Sequence, residues 1–135
     1  MTNGLQEIDA PAWMLDLFKA IDTLDMSEGS GFKVFADDIV MQFGPKTVHG
    51  VAEAKAFFTK LDAPFITKHI VDRVFNYGNA YLMQGSAKLR KKGDASGATI
   101  TAAPLFNLLW FNDDGKIMRY VVDFPPQAAA ASDVF

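Results

Sequence analysis

Chemistry in this sequence centres on His69. It stands in a predicted strand, Phe65 to Tyr77, where alternation would put Thr67, His69, Val71 and Phe75 on one face. An imidazole turned into an apolar hollow works as a general base near neutral pH when a partner fixes its tautomer and steadies its cation. Asp22, on the first predicted helix, is the natural partner. The competing reading is a buried histidine bonded to a backbone carbonyl, with Asp22 facing solvent or capping. Asn107 comes next. Flanked by Leu105, Phe106, Leu108 and Leu109, its amide would cost about 1–3 kcal/mol if buried without a partner. It would either hold a substrate carbonyl or developing oxyanion, or bond to a neighbouring strand or to Asp22.

Lys88 and Arg90, if turned inward with Gln84 and Ser86, would offer a cation to an acidic or enolate-like substrate. A solvated charge at a strand edge is the favoured alternative, because lysine is seldom buried. Asp123 shares a face with Val121, either at the pocket mouth or fixing the turn before Pro125. Trp13, Phe43, Phe57, Phe75 and Leu105 are expected to line the hollow, where core packing and ligand contact merge. His49 precedes Gly50 at a helix start and reads as surface. With two histidines far apart in sequence and no cysteine, no metal is expected, and no glycine-rich phosphate loop announces a nucleotide. No cofactor is implied.

These side chains need a scaffold, and 135 residues suffice for one domain, 1–135, with a single core. Half of the residues are hydrophobic, with twelve Phe among them, which is more bulk than a minimal core needs and suggests a cavity or subunit contact. A net charge of −3 argues against a nucleic-acid partner; Lys88 to Lys92 is the one basic run. The absence of cysteine leaves the redox compartment open. Met1 to Pro11 has no basic region followed by an apolar run, and no apolar stretch is long enough to span a bilayer, so no membrane partner and a cytoplasmic location are expected.

Apolar spacing predicts a first helix over Ala12 to Leu24, with Asp9 as a possible cap and Pro11 in its opening turn. Phe32, Phe35 and Ala36 suggest a short second helix, followed by a strand from Ile39 to Phe43 stopped by Gly44-Pro45. A third helix opens at Gly50, carries Val51, Ala54, Phe57, Phe58 and Leu61 on one stripe, and ends at Pro64. Strands are expected over Phe65–Tyr77, Ala80–Lys92, Ala98–Phe111 and Lys116–Phe124, with turns at Gly78-Asn79, Gly93 to Gly97 and Asp113-Asp114-Gly115. The class is α+β: a strongly curved antiparallel sheet wrapped around three N-terminal helices, enclosing one apolar pocket for a small molecule. The strand 105–111 is apolar on both faces, so its outer residues Phe106, Leu108 and Trp110 predict a homodimer. The tail, 127–135, reads as mobile or as a lid.

In this order, several local patterns resemble the nuclear transport factor 2-like superfamily, nearest its SnoaL-like polyketide cyclase, scytalone dehydratase and ketosteroid isomerase branches. They are Val34-Phe35-Ala36-Asp37-Asp38, Phe43-Gly44-Pro45, Val48-His49-Gly50, Lys68-His69-Ile70, Phe111 to Ile117, and Val121-Val122-Asp123 before Pro125. The resemblance runs from about Trp13 to Pro126. It implies a cone-shaped antiparallel or mixed sheet, a cystatin-like α+β barrel, and places His69, Asp22 and Asn107 at positions that match active-site groups of the dehydratase branch. Three positions depart from that branch: Phe43 and Ile21 stand where it has tyrosines, and Lys88 near its second histidine. The catalytic aspartate of the isomerase branch is also missing near Phe43. The reaction implied is therefore of a class: a cofactor-independent lyase or isomerase acting on an apolar carbonyl or hydroxyl compound. The alternatives are a non-catalytic binding protein or a protein-interaction module like nuclear transport factor 2.

Overall fold

The computed structural model describes residues 4–123; the expectations for Phe124, Pro125-Pro126 and the tail 127–135 lie outside the described residues. Four strands form the predicted antiparallel meander: β4 (Phe65–Tyr77), β5 (Ala80–Lys91), β6 (Thr99–Phe111) and β7 (Ile117–Asp123). Beyond β7 the sheet continues with β2 (Phe35–Phe43), parallel to β7, and β3 (Lys46–His49), antiparallel to β2. β1 (Gln6–Ile8) pairs with the free side of β4, which makes one mixed seven-stranded sheet in the order β1-β4-β5-β6-β7-β2-β3.

Two α-helices, α1 (Ala12–Thr23) and α2 (Val51–Asp62), fill the inner side. From α1, Met14, Leu17, Phe18 and Ile21 are buried; from α2, Ala54, Phe57, Phe58 and Leu61. They meet Met83, Leu105, Leu109, Ile117 and Val122 of the sheet in one core. Each fully buried Leu, Ile or Phe there contributes about 1.5–3 kcal/mol.

The short second helix expected from Phe32, Phe35 and Ala36 is not formed, so α2 is the helix expected third. Gly31–Val34 is a single 3-10 turn capped by Ser30, whose Oγ accepts the Phe32 N–H. Phe35 then enters β2 opposite Ile117. The apolar spacing imitated a helix because two consecutive residues, Phe35 and Ala36, are both buried at an irregular strand start. The turn also lies against the backbone of α1: a Cβ on Gly31 would come 2.1 Å from the Asp16 carbonyl oxygen. Gly44-Pro45 ends β2 after Phe43, as expected, and also makes the hairpin turn into β3, while Asp9 does not cap α1, whose N-cap is Pro11 with no side-chain hydrogen bond.

One irregularity decides which side chains face inward. Along β4/β5 the pairing passes from Val71 with Gly85 to Arg73 with Gln84, so Asp72 is an extra residue, a β-bulge. Thr67 and His69 precede it on the inner face. After it the buried position is Val74, which turns Phe75 outward, contrary to simple alternation. Gly85 sits opposite the bulge, where a Cβ would lie 1.9 Å from the Ile70 carbonyl oxygen. Gly85→Ala should therefore lower stability by about 3 kcal/mol, at the upper end for overpacking. Urea unfolding measures this, and an unchanged midpoint would show that the two strands do not approach as described.

Candidate functional site

Phe18 and Asp22 are one turn apart on α1, so both reach the same stretch of β4. The Phe18 ring stacks on the His69 imidazole, with centroids 5.1 Å apart and planes at 8°. Asp22 Oδ1 lies 2.6 Å from His69 Nδ1 and accepts the Thr67 hydroxyl at 3.0 Å, while Oδ2 accepts the His69 backbone N–H at 3.0 Å. The Asp22 and His69 side chains are each 13% exposed. Burial by itself would raise the Asp22 carboxyl, but the hydrogen bonds and charge of His69, with Thr67, outweigh it and hold Asp22 below the usual carboxylate range. An ionised Asp22 keeps the proton of a neutral imidazole on Nδ1 and leaves Nε2 as the nitrogen able to accept one.

A second carboxyl faces this pair. Asp62, the last residue of α2, is 5% exposed, and burial pushes its carboxyl up to about 7; His69 opposes that rise and Asp22 adds to it. The end of the helix is also the negative end of its dipole, an unfavourable place for a carboxylate. Asp62, Thr67 and His69 share the wall of a cavity with Phe43, Phe58, Leu61, Ala87 and Leu89. Its volume is about 20 Å³, room for about one water molecule. Among the described residues the single large apolar pocket expected from the sequence is thus not formed beside His69, because Phe43, Phe58, Leu61 and Leu89 pack into the space between the helices and the sheet. Larger concavities lie on the surface: a groove of about 630 Å³ between Phe32, Lys33, Asp37, Lys55, Asn112 and Lys116 does not include His69, whereas one of about 300 Å³, lined by Lys68, Lys88 and Arg90, shares Thr67 and Leu89 with the His69 cavity.

Further inside, the Tyr120 hydroxyl donates to Asn107 Oδ1, and both residues are 1% exposed. Burial, helped by the negative charge of Asp62, pushes the Tyr120 hydroxyl far above its ordinary range. Asn107 Nδ2 is buried and has no hydrogen-bond partner among the described residues.

The expected site residues therefore divide. His69 and Asp22 are in direct contact, and Phe43 lines their cavity with Phe57 packed on it at a centroid distance of 5.1 Å. Asn107 and Leu105 are buried on the inner face of β6 but do not line that cavity. Trp13 is half-buried, edge-on to Tyr81 and Phe111. Phe75 faces outward under the Arg73 guanidinium, the consequence of the bulge. Lys88 is exposed beside Lys68 and Thr101, since the inward positions of β5 are Met83, Gly85, Ala87 and Leu89; Asp123 is exposed on the outer side, opposite Phe106. Among the described residues no group of three or more His, Asp or Glu is placed to hold a metal ion. Asp62 and Tyr120 were not anticipated, although the signal was present. Asp62 falls four residues after Phe58 and eight after Ala54, on the buried stripe of α2, and Tyr120 alternates with Val122.

The raised Asp62 carboxyl has a sign that can be checked. In the unfolded chain it ionises near 3.8 and in the folded chain near 7, so between those values the folded state holds more protons and stability falls as pH rises. The full cost is about 4 kcal/mol above neutrality. Asp62→Asn should gain on the wild type by roughly 2–3 kcal/mol between about pH 5 and pH 8. Urea unfolding at the two pH values measures the gap, and a constant difference would mean that Asp62 is ionised normally.

No family model and no curated protein matches the chain. Solved structures do. A candidate SnoaL-like polyketide cyclase from Jannaschia sp. CCS1 superposes with a TM-score of 0.73 at 17% identity, covering 93% of this chain and 96% of that one. A protein with a ketosteroid isomerase-like fold from Catenulispora acidiphila DSM 44928, in complex with trimethylamine, gives 0.74 at 13% identity, covering 92% and 93%. An LEH-like epoxide hydrolase of M. tuberculosis gives 0.69 at 13% identity, covering 88% and 84%. At such identities the likeness concerns the fold, and with the mixed sheet, the two packed helices and the parallel β2/β7 junction it gives one conclusion: this chain has the nuclear transport factor 2-like fold.

Proposed function

We propose that this chain is a cofactor-independent acid–base enzyme of the isomerase, dehydratase or cyclase kind, acting on an apolar molecule that carries a carbonyl or hydroxyl group. The observation that carries this reading is the 2.6 Å contact between Asp22 and His69 Nδ1 at the edge of an apolar interior. Asp22 orients the ring and balances its charge, and His69 Nε2 moves the proton. Asn107 Nδ2, without a partner among the described residues, supports a place for a ligand oxygen deeper in the interior. The trimethylamine in one fold relative and the reactions named for two others support a small-molecule occupant. Occupancy requires Phe43, Phe58, Leu61 and Leu89 to yield, because the cavity of about 20 Å³ holds nothing larger than water.

That small volume also favours a second reading, in which the Asp22 hydrogen bonds are a structural clamp joining α1 to β4 and the protein carries out no reaction. The two readings separate on hydrogen–deuterium exchange at the carbon beside the carbonyl of acetone and cyclohexanone in D₂O, followed by proton NMR. The enzymatic reading expects exchange above buffer that falls about 10²–10⁴-fold in His69→Ala. Equal rates for buffer, wild type and variant favour the clamp.

The homodimer belongs to the same proposal. Phe75, Leu82, Phe106, Leu108, Trp110 and Val121 share the outer face of the sheet and are half-buried, forming a continuous apolar surface. Arg119 lies over the Trp110 ring at 5.7 Å. Two copies meeting there would place the charged sheet edges at the rim. Light scattering should give twice the chain mass for the wild type and one chain mass for Leu108→Lys; a monomeric wild type overturns the assignment. Among the described residues no helix is long and apolar enough to cross a membrane, and a cytoplasmic setting is part of the proposal.

A further inference from the structure

Asp62 is a carboxyl without a structural task. It is 5% exposed, yet no side chain or backbone group among the described residues donates a hydrogen bond to it. Such burial costs several kcal/mol for an ionised group and remains tolerable only while the group is neutral. A neutral carboxyl has an O–H to donate, and the cavity onto which Asp62 opens is bounded on another side by His69. The charged and titratable groups around it come from three elements: Asp22 on α1, His69 on β4 and Tyr120 on β7. Asp22 is committed to His69 and Thr67, and Tyr120 to Asn107, so neither satisfies Asp62.

We propose that Asp62 is the second proton-carrying group of this site, acting as an acid across the cavity from the base His69 on the same bound carbonyl compound. The inference rests on the acid–base reading above and completes it, since a base alone leaves the developing oxyanion without a proton. In the step, His69 Nε2 takes the proton from the carbon next to the carbonyl. The C–H electron pair becomes the new C=C bond, the carbonyl π pair moves to oxygen, and oxygen takes the Asp62 proton. The products are the enol, an imidazolium paired with Asp22, and the Asp62 carboxylate. Transfer of a proton from His69 to Asp62 restores both groups, so no co-reactant enters. Neutral Asp62 lets the imidazole act as base without an added anion at its far side. Ionised Asp62 draws the proton back. A pair of titratable groups whose surroundings push them in opposite directions is the arrangement that acid–base division of labour requires. Here the surroundings lower Asp22, the carboxyl bound to the base, and raise Asp62, the carboxyl facing it.

The test has a part that needs no substrate. Carboxyl ¹³C NMR of aspartate-labelled protein, with the Asp62 signal assigned by its loss in Asp62→Asn, should show Asp62 titrating near neutral pH. Its midpoint should rise in His69→Gln, where the opposing influence of His69 is gone. An Asp62 that is ionised from about pH 5 upward, or that ignores His69, overturns the proposal. The second part uses acetone and cyclohexanone exchange in D₂O. Asp62→Asn should lower the exchange rate at least about 10-fold with little change in KM, and abolish the fall in rate that the wild type shows as pH rises through neutrality. If His69→Ala abolishes exchange while Asp62→Asn leaves rate and pH profile intact, the role of Asp62 is wrong and the His69 reading stands. If the wild type itself does not exceed buffer, both fall together.

Discussion

The junction between α1 and β4 is held by one carboxylate. Asp22 receives the Thr67 hydroxyl, the His69 backbone N–H and His69 Nδ1, and Phe18, one turn earlier, closes over the imidazole. Hydrogen bonds to a charged group contribute more than neutral ones, about 1.5–3 kcal/mol each, and losing one partner leaves the rest buried and unpaired. The helix is thereby fixed in rotation and in height against the longest strands of the sheet. Whatever the ring does, its orientation is settled by this contact.

Around that junction the interior is less apolar than its composition suggests. Asp22 with His69, Asp62 alone, and Tyr120 with Asn107 lie among Leu, Met and Phe side chains, and the charge state of each depends on the next. Asp62 carries most of the tension, because no group among the described residues donates to it and it stands at the negative end of a helix. A fold built for packing alone would be more stable with an apolar residue at this point. Retaining a carboxyl there is the feature that a purely structural account leaves unexplained.

The bulge at Asp72 links this interior to the outside. By adding one residue to β4 it lets Thr67 and His69 face the helices while Phe75 turns to the outer surface with Leu82, Phe106 and Leu108. The same irregularity therefore divides the aromatic residues between a core and a second apolar face. Gly85 permits it, since no side chain fits against the Ile70 carbonyl.

Much of this was legible in the residues themselves. The helical spacing around Leu17 and Ile21 and around Ala54 and Phe58, and the four long strands and their turns, follow from local periodicity, which burial of one face enforces, and the apolar character of both faces of β6 was equally visible. His69 and Asp22 stood out because a titratable group in an apolar segment needs a partner. Three things depended on contacts between distant segments. The short β1 and β3 exist only because β4 and β2 offer edges to pair with, and Phe35 is a strand residue only because Ile117 lies beside it. The outward turn of Phe75 depends on where the bulge falls, and the exposure of Lys88 on which face of β5 turns inward, both decided by the pairing of β4 with β5. The filling of the hollow down to about 20 Å³, and the isolation of Asp62 within it, depend on how side chains from both helices and the sheet meet at one point. Periodicity reports which face of an element is buried; how much space remains when several such faces converge is set by their packing, which no single segment encodes.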